Sequence, residues 1–306
     1  MTRTYIGVDL SRDWIDIFDP RRGAGRIANR DPELRAWLGG LDRGDLLVLE
    51  ATSLCDGAIL RLATEAGQPF HRLNPLHGWH FARSLNLAKT DKVDARMLAR
   101  LGAERRLAPS PGHDPARADL VELSGRRDQL KRMESQEKNR LRKTRSELVR
   151  ADILAVLDDL GRRVARVEAA IRAFLGAHPP LARKAALLDT IPGFAAVTCT
   201  VLVAHMPELG QLDRRTVASL GGLAPRARDS GKRQGRRHTG DGRRQVRRAL
   251  YMAAVSMMRK GSPFAAFVDR LRGSNKPGRL IAIALARKLL TIANAVLRDE
   301  TAFQRC

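Results

Sequence analysis

Cysteine is scarce in this 306-residue chain, where Cys55, Cys199 and Cys306 are odd in number and far apart. That excludes a disulfide framework and leaves no zinc-ligand spacing, so the three read as structural or incidental in a reducing compartment. Aromatic residues make up only 4%, and the two tyrosines fall in a strand pattern (Tyr5) and in the apolar run ALYMAA (Tyr251). Neither position suits a tyrosine nucleophile. Neither a long apolar run nor an amphipathic anchor is evident, and the start MTRTYIGVDLSRDW turns into an alternating strand without the apolar core of a signal peptide. The expectation is a cytoplasmic protein with no membrane partner. Acids are also in short supply, 33 Asp and Glu against 56 Lys and Arg, which leaves a formal net charge of +23. Such a chain repels itself unless a polyanion neutralises it, and the partner implied is nucleic acid.

The length calls for at least two domains. TYIGVDLS and WIDIFDP are short β-branched and aromatic runs that predict a hairpin, and DLLVLEAT at 45–52 predicts a strand buried on both faces. A helix ending at Gly67, a strand QPFHRLN, and helices at HGWHFARSL and DKVDARMLARLGAE follow. Residues 1–106 are therefore expected to form one α/β domain. LAPSPGHDPA at 107–116 carries three prolines and no periodic apolar face, which predicts an extended connection. Beyond it, Leu120, Leu123, Leu130, Leu141 and Leu148 fall near heptad positions. Ile153, Leu157, Leu160, Val164, Val167, Ile171 and Phe174 then keep a four-three repeat. Residues 107–182 thus predict a linker and two long helices, or one interrupted helix, forming an antiparallel hairpin or an intermolecular coiled coil. Residues 183–306 predict a mainly helical third region, broken by a Gly- and Arg-rich stretch between 222 and 243.

Two constellations carry chemistry. Asp9 follows IGV in the first strand, Glu50 closes the apolar run LLVLE, and Asp91 and Asp94 sit three apart at a helix start, on one helix face. Each alone reads as a surface or helix-start acid. If the strands are neighbours and the helix packs over their ends, all four converge, which bound cations make tolerable. Mg²⁺ suits hard oxygen ligands, and two ions about 4 Å apart stabilise both the attacking and the leaving oxygen of a phosphodiester displacement. Asp13, Asp16 and Asp19 read as solvent-face strand acids and a turn residue.

The second constellation runs from 226 to 248, where ten of 23 residues are basic: Arg226, Arg228, Lys232, Arg233, Arg236, Arg237, Arg243, Arg244, Arg247 and Arg248. Ser230 lies inside it. By composition alone the serine reads as a phosphate contact or turn cap, although nearby arginines favour an alkoxide or an anionic transition state. IPGF at 191–194 is either a turn whose N–H groups meet a phosphate or an ordinary interhelical turn. His77 and His80 lack the companions of a metal site and read as surface or packing residues.

IGVDLS, VLEAT, the stretch LNPLHGWHFARSLNLAKTDKVDARMLA, then IPGF, GGLAPRARDSGKRQGRR and GRRQVRRALYMAA occur in that order over nearly the whole chain. Together they resemble the DEDD transposases of bacterial insertion sequences, the bridge-RNA-guided recombinases. KTDKVDA and the Ser-Gly basic stretch are the most specific parts. The resemblance implies a RuvC-like, RNase H-type N-terminal domain whose four Mg²⁺-binding acids fall on Asp9, Glu50, Asp91 and Asp94. It also implies a C-terminal transposase domain whose serine, here Ser230, attacks DNA and forms a 5′-phosphoserine link. The implied partners are donor and target DNA, a structured guide RNA, and further copies of the chain as a dimer or tetramer, the acids of one subunit meeting the serine of another.

The alternative is a RuvC-like, structure-specific endonuclease in which water attacks and Ser230 only binds phosphate. A third reading is a nucleic-acid-binding protein with a degenerate nuclease fold. A sugar-kinase or actin-like ATPase shares the IGVDLS start, but the basic C-terminal half and the lack of a second Gly-rich phosphate loop argue against it.

Overall fold

The computed structural model describes residues 3–51, 55–85, 91–225, 238–240 and 242–304, without the side chains of Leu76, Asp91, Lys92 and Val93. The chain divides into two compact units, Met1–Pro115 and Ala116–Cys306.

The first unit is built on a mixed sheet. Strands β1 (Tyr5–Leu10), β2 (Trp14–Asp19) and β3 (Gly23–Ala28) form an antiparallel meander, while β4 (Leu46–Glu50) and β5 (Phe70–Leu73) run parallel to β1, in the order β3-β2-β1-β4-β5. The interior strand β4 buries Leu46, Leu47, Val48 and Leu49 completely. At about 1.5–3 kcal/mol for each such side chain, that burial outweighs the ~1 kcal/mol span of strand propensity. One sheet face packs Ile6, Val8, Ile15, Ile17, Leu47 and Leu49 against α1 (Asp31–Gly39) and α2 (Gly57–Glu65). The other packs Leu46, Val48 and Leu73 against α3 (Pro75–Ser84) and α4 (Asp91–Arg105). Strand β3 and helix α1 lie in a stretch for which the sequence predicts no element. The strand's GAGRIA is an exposed edge with two glycines, and it shows no alternating apolar signal.

Helix α4 lies directly on β1. A Cβ at Gly7 would meet the Ala95 carbonyl oxygen at 1.8 Å and the Ala99 nitrogen at 2.7 Å, and a Cβ at Gly102 would meet the Tyr5 and Val48 side chains at 2.8 Å. As the helix advances from 95 to 102, the strand position beneath it retreats from 7 to 5. The helix is therefore antiparallel to β1, with its first turn over the end of the strand that carries Asp9.

In the second unit, α5 (Pro115–Leu141) and α6 (Glu147–Ala177) run antiparallel, joined by the buried cluster Leu130, Leu160 and Val164 and by an Arg127–Glu168 ion pair of 2.7 Å. Leu148, a predicted heptad position, is instead 82% exposed in the first turn of α6. The remainder is helical: α7 (Pro179–Asp189), α8 (Ala196–His205), α9 (Arg214–Leu220), α10 (Arg244–Ser256), α11 (Ala265–Gly273) and α12 (Gly278–Asp299). Ile281, Leu285, Ala286, Leu289, Leu290 and Ala293 of α12 are at most 1% exposed and form the centre of the core. The buried Asn294 donates to the Leu212 carbonyl and accepts from the Gly210 N–H, so its burial is compensated.

The sequence reading sees no long apolar run, but α12 is long and apolar enough to cross a membrane by length and composition. Half of its apolar window is instead buried in this core. IPGF forms an interhelical turn: Phe194 N–H bonds the Ile191 carbonyl, both side chains are buried, and Gly193 lies against Met257.

Gly7→Ala is expected to destabilise the first unit by about 1–3 kcal/mol or more, the range for overpacking, because the obstructing atoms are backbone. Urea denaturation followed by circular dichroism checks it, and an unchanged midpoint would refute the close approach.

Candidate active site

The parallel register pairs Val8 with Leu49, and Asp9 and Glu50 are the next residue on each strand. They therefore occupy the same position on adjacent strands and point to the same sheet face, the one covered by α3 and α4. The Glu50 carboxyl reaches α3, where a Cβ on Gly78 would fall 2.0 Å from its Oε1. Asp94, half-buried, and Asp91, the first residue of α4, lie in the helix turn over the Asp9 end of β1. The structure thus brings Asp9, Glu50 and Asp94 to one end of one sheet face, with Asp91 entering the same turn by its backbone. Among the described residues, no group of three or more His, Cys, Asp or Glu closes on a point as ready metal ligands. The donor set is all carboxylate oxygen, which fits Mg²⁺ rather than a soft metal.

Asp16 corrects the sequence reading, being 7% exposed rather than on a solvent face, and Asp19, which ends β2 at the turn, is also buried, at 4% exposure. Asp16 pairs with Asp9 in the antiparallel register and with Arg26 across β3. Arg26 grips it through Nε at 3.0 Å and Nη2 at 2.7 Å. A cation on an edge strand thus compensates an acid beside Asp9, a pairing that sequence spacing does not reveal. Asp19 and the buried Asp45 share Arg21, at 3.2 and 2.5 Å. Burial alone would raise the Asp19 carboxyl, but hydrogen bonds and charge from Arg21 outweigh it and hold Asp19 below its usual range. Near Glu50, Trp79 of α3 is 50% exposed, with the Arg83 guanidinium 4.8 Å from its ring centre. It is a flat apolar surface on the helix that carries Gly78, and no sequence pattern singled it out. His77 and His80 are exposed on the same helix.

In the second unit, Ser230 and the basic residues Arg226, Arg228, Lys232, Arg233, Arg236 and Arg237 lie outside the described residues. The ends of that stretch are clamped. Arg243 N–H bonds the Leu220 carbonyl at 2.8 Å, and a Cβ on Gly242 would fall 2.1 Å from the Gly222 nitrogen. The chain therefore leaves and re-enters the helical core at one point.

Of the described arginines, Arg243 holds Glu208 through both guanidinium nitrogens at 2.6 and 2.7 Å. Burial pushes the Glu208 carboxyl up, but Arg243 outweighs it and keeps Glu208 below its ordinary value. Arg247 tucks one terminal nitrogen against Gly222, buried without a hydrogen-bond partner among the described residues. Arg248 is 57% exposed and 3.9 Å from Asp128, and Arg244 is exposed. The basic stretch therefore mixes a structural cation, Arg243, with solvent-facing ones. Cys199 is buried, and desolvation followed by the Asp189 charge pushes its thiol up to about 12, which keeps it protonated and unreactive. Cys306 lies outside the described residues.

Residues 185–269 match the family described as Transposase IS116/IS110/IS902 family, and residues 20–148 match a DEDD transposase family of IS110 type. Over 324 aligned residues the chain is 29% identical to the pilin gene-inverting protein of Moraxella bovis, covering 100% of this chain and 99% of that protein. The protein of the same name from Moraxella lacunata gives the same identity and coverage. The chain is also 30% identical, over 140 residues, to the insertion element IS110 uncharacterized 43.6 kDa protein of Streptomyces coelicolor, covering 45% of this chain and 34% of that protein.

Two substitutions test this geometry. Gly78→Ala is expected to displace the Glu50 carboxyl and reduce DNA cleavage at least ~10-fold with the fold retained, read from cleavage rate and circular dichroism together; full activity would place Glu50 elsewhere. Glu208→Gln leaves Arg243 without its carboxylate and costs about 1–3 kcal/mol at neutral pH. Because the folded carboxyl is held low, its contribution is present above the ordinary carboxylate value and is lost as pH falls through the lowered one. Urea midpoints between pH 3 and 7 should therefore fall more steeply in wild type than in Glu208→Gln, and parallel curves would refute the pairing.

Proposed function

The chain belongs to the IS116/IS110/IS902 family of transposases, and from that premise we propose that it cuts and rejoins the DNA of an insertion sequence through a serine nucleophile assisted by Mg²⁺ and directed by a structured RNA. The observation that carries the metal-assisted part is the meeting of the β1 and β4 ends with the first turn of α4, which brings Asp9, Glu50 and Asp94 to one end of one sheet face. The same meeting, in a mixed sheet with its acid-bearing strands adjacent, supports a RuvC-like reading of the N-terminal unit. Mg²⁺, two ions per site in this reading, would polarise the scissile phosphodiester and stabilise the entering and leaving oxygens. Asp9, Glu50, Asp91 and Asp94 would supply its ligands.

Ser230 acts as the nucleophile. Its Oγ gives up a proton and attacks phosphorus, a P–Oγ bond forms, and the bond to the 3′ oxygen breaks, leaving a 5′-phosphoserine ester and a free 3′-hydroxyl. Rejoining is the reverse, with a new 3′-hydroxyl attacking the ester and Ser230 recovering its proton. The surrounding cations stabilise the anionic phosphoryl transition state, and Arg244 and Arg248, exposed at the clamped end of the stretch, are available to backbone phosphates. Helices α5 and α6 are the coiled-coil element that brings copies of the chain together. Met133, Leu148 and Leu154, exposed at 46%, 82% and 50%, support that assembly. Specificity then resides in base pairing between the RNA and both DNAs.

The test incubates wild type, Ser230→Ala and Asp91→Asn with element-end DNA, RNA transcribed from the flank, and Mg²⁺, and looks for a protein–DNA adduct on a denaturing gel. The expected result is an adduct in wild type that falls at least ~100-fold in both variants, the scale for loss of a catalytic group. Cleavage by wild type and Ser230→Ala alike, with no adduct in either, would overturn the serine mechanism in favour of hydrolysis.

A further inference from the structure

Helix α12 has a second face. Opposite the residues that fill the core, Leu280, Ile283, Ala284 and Thr291 line an open groove of about 1030 Å³, whose other wall includes Phe267 of α11. Leu280 is 47% exposed. The groove's cations are Arg214 of α9, Arg270 of α11, and Arg279, Arg287 and Lys288 of α12, and among the described residues no acid lines it. Among the described residues none of these five forms an ion pair, whereas Arg243, Arg248 and Arg272 of the same unit each do. Arg270 and Lys288 lie over the Phe267 ring, at 5.4 and 4.8 Å from its centre. The groove also takes in Pro225 and His238, which flank residues 226–237 in the sequence.

Five cations without an ion pair among the described residues, around an apolar floor, call for an occupant that is both anionic and apolar. Another copy of a chain with a net charge of +23 brings the wrong sign. Residues 226–237 bring six cations against the single acid Asp229, so the neighbouring stretch does not neutralise the groove either. Duplex DNA supplies phosphates but keeps its base faces stacked inside, leaving the apolar floor without a partner. An unpaired strand supplies phosphates for the rim and exposed base faces for Phe267, Leu280 and Ile283. From Leu280 to Thr291 the helix rises about 16 Å, room for a short run of nucleotides. We propose that this groove binds single-stranded DNA, a strand of the substrate opened from its duplex. The choice of DNA rests on the transposase reading above; the groove's preference for an unpaired polyanion does not.

Fluorescence anisotropy on the full chain tests this with labelled single-stranded DNA of about 15 nucleotides, the same sequence as a duplex, and the same sequence as RNA. Arg279→Ala with Lys288→Ala removes two exposed groove cations, Arg162→Ala with Arg163→Ala removes two from the exposed side of α6, and Leu280→Gln alters the floor. The groove pair is expected to weaken single-stranded DNA binding at least ~10-fold and to flatten the log–log salt slope by about 1.4, for two lost phosphate contacts. Leu280→Gln is expected to weaken it at unchanged slope, and the α6 pair to leave it within about twofold, the small change of a diffuse net-charge effect.

Equal losses in the two arginine-containing pairs, or equal losses for duplex and single strand, would overturn the proposal. Tighter RNA binding with the same sensitivity to the groove pair would overturn the assignment to DNA, and a change of mass in light scattering on Leu280→Gln would assign the groove to a second copy. Binding needs no cleavage. Absence of an adduct in wild type therefore sinks the recombinase reading alone, and insensitivity of binding to the groove pair sinks this proposal alone.

Discussion

Helix α4 rests on β1 backbone to backbone, with no side chain between Gly7 and the Ala95 carbonyl. Any residue larger than glycine would lift the helix, and with it the turn that carries Asp91 and Asp94. The acids at the ends of β1 and β4 would then face a gap instead of a helix terminus. Helix N-termini favour negative charge, which eases the crowding of carboxylates there. The Asp16–Arg26 pair next to Asp9 works in the same direction by supplying a cation where another uncompensated acid would add to the repulsion.

The second unit solves a different problem, that of holding a highly basic stretch on a helical core. Its solution separates roles among similar residues. Arg243 is spent on the buried Glu208 and on closing the chain back to Leu220, while Arg244 and Arg248 stay at the surface. Helix α12 is apolar enough to pass for a membrane span, yet one side is the core and another lines a cation-rimmed groove. Apolarity on several sides of this helix goes with a face buried in the core and a face that lines the groove.

Much of the fold was legible in the sequence. The continuous apolar run ending in Glu50, the hairpin before it, and the four-three repeat of α6 each produced the element that their periodicity predicts. Edge strand β3 escaped because glycines and an arginine give no alternation. Leu148 is exposed within the chain, and periodicity alone does not say whether a heptad position is covered by its own hairpin or by another copy. Asp16 escaped for a different reason: its counterion lies ten residues away on another strand, and the alternating pattern of β2 is satisfied with the acid on either face.

Composition alone set the net positive charge and hence the polyanionic partner, since charge is additive and needs no fold. Ordered motifs set the family, and the placement of Asp9 and Glu50 at the ends of apolar strands nominated them as a pair. Tertiary structure alone decided that β1 and β4 are adjacent and in register, that α4 runs antiparallel above them, and that Glu50 reaches Gly78. It also decided which of the described arginines are structural and which face solvent. These are contacts between residues far apart in the chain, and local periodicity reports only which face of an element is buried, never what it is buried against.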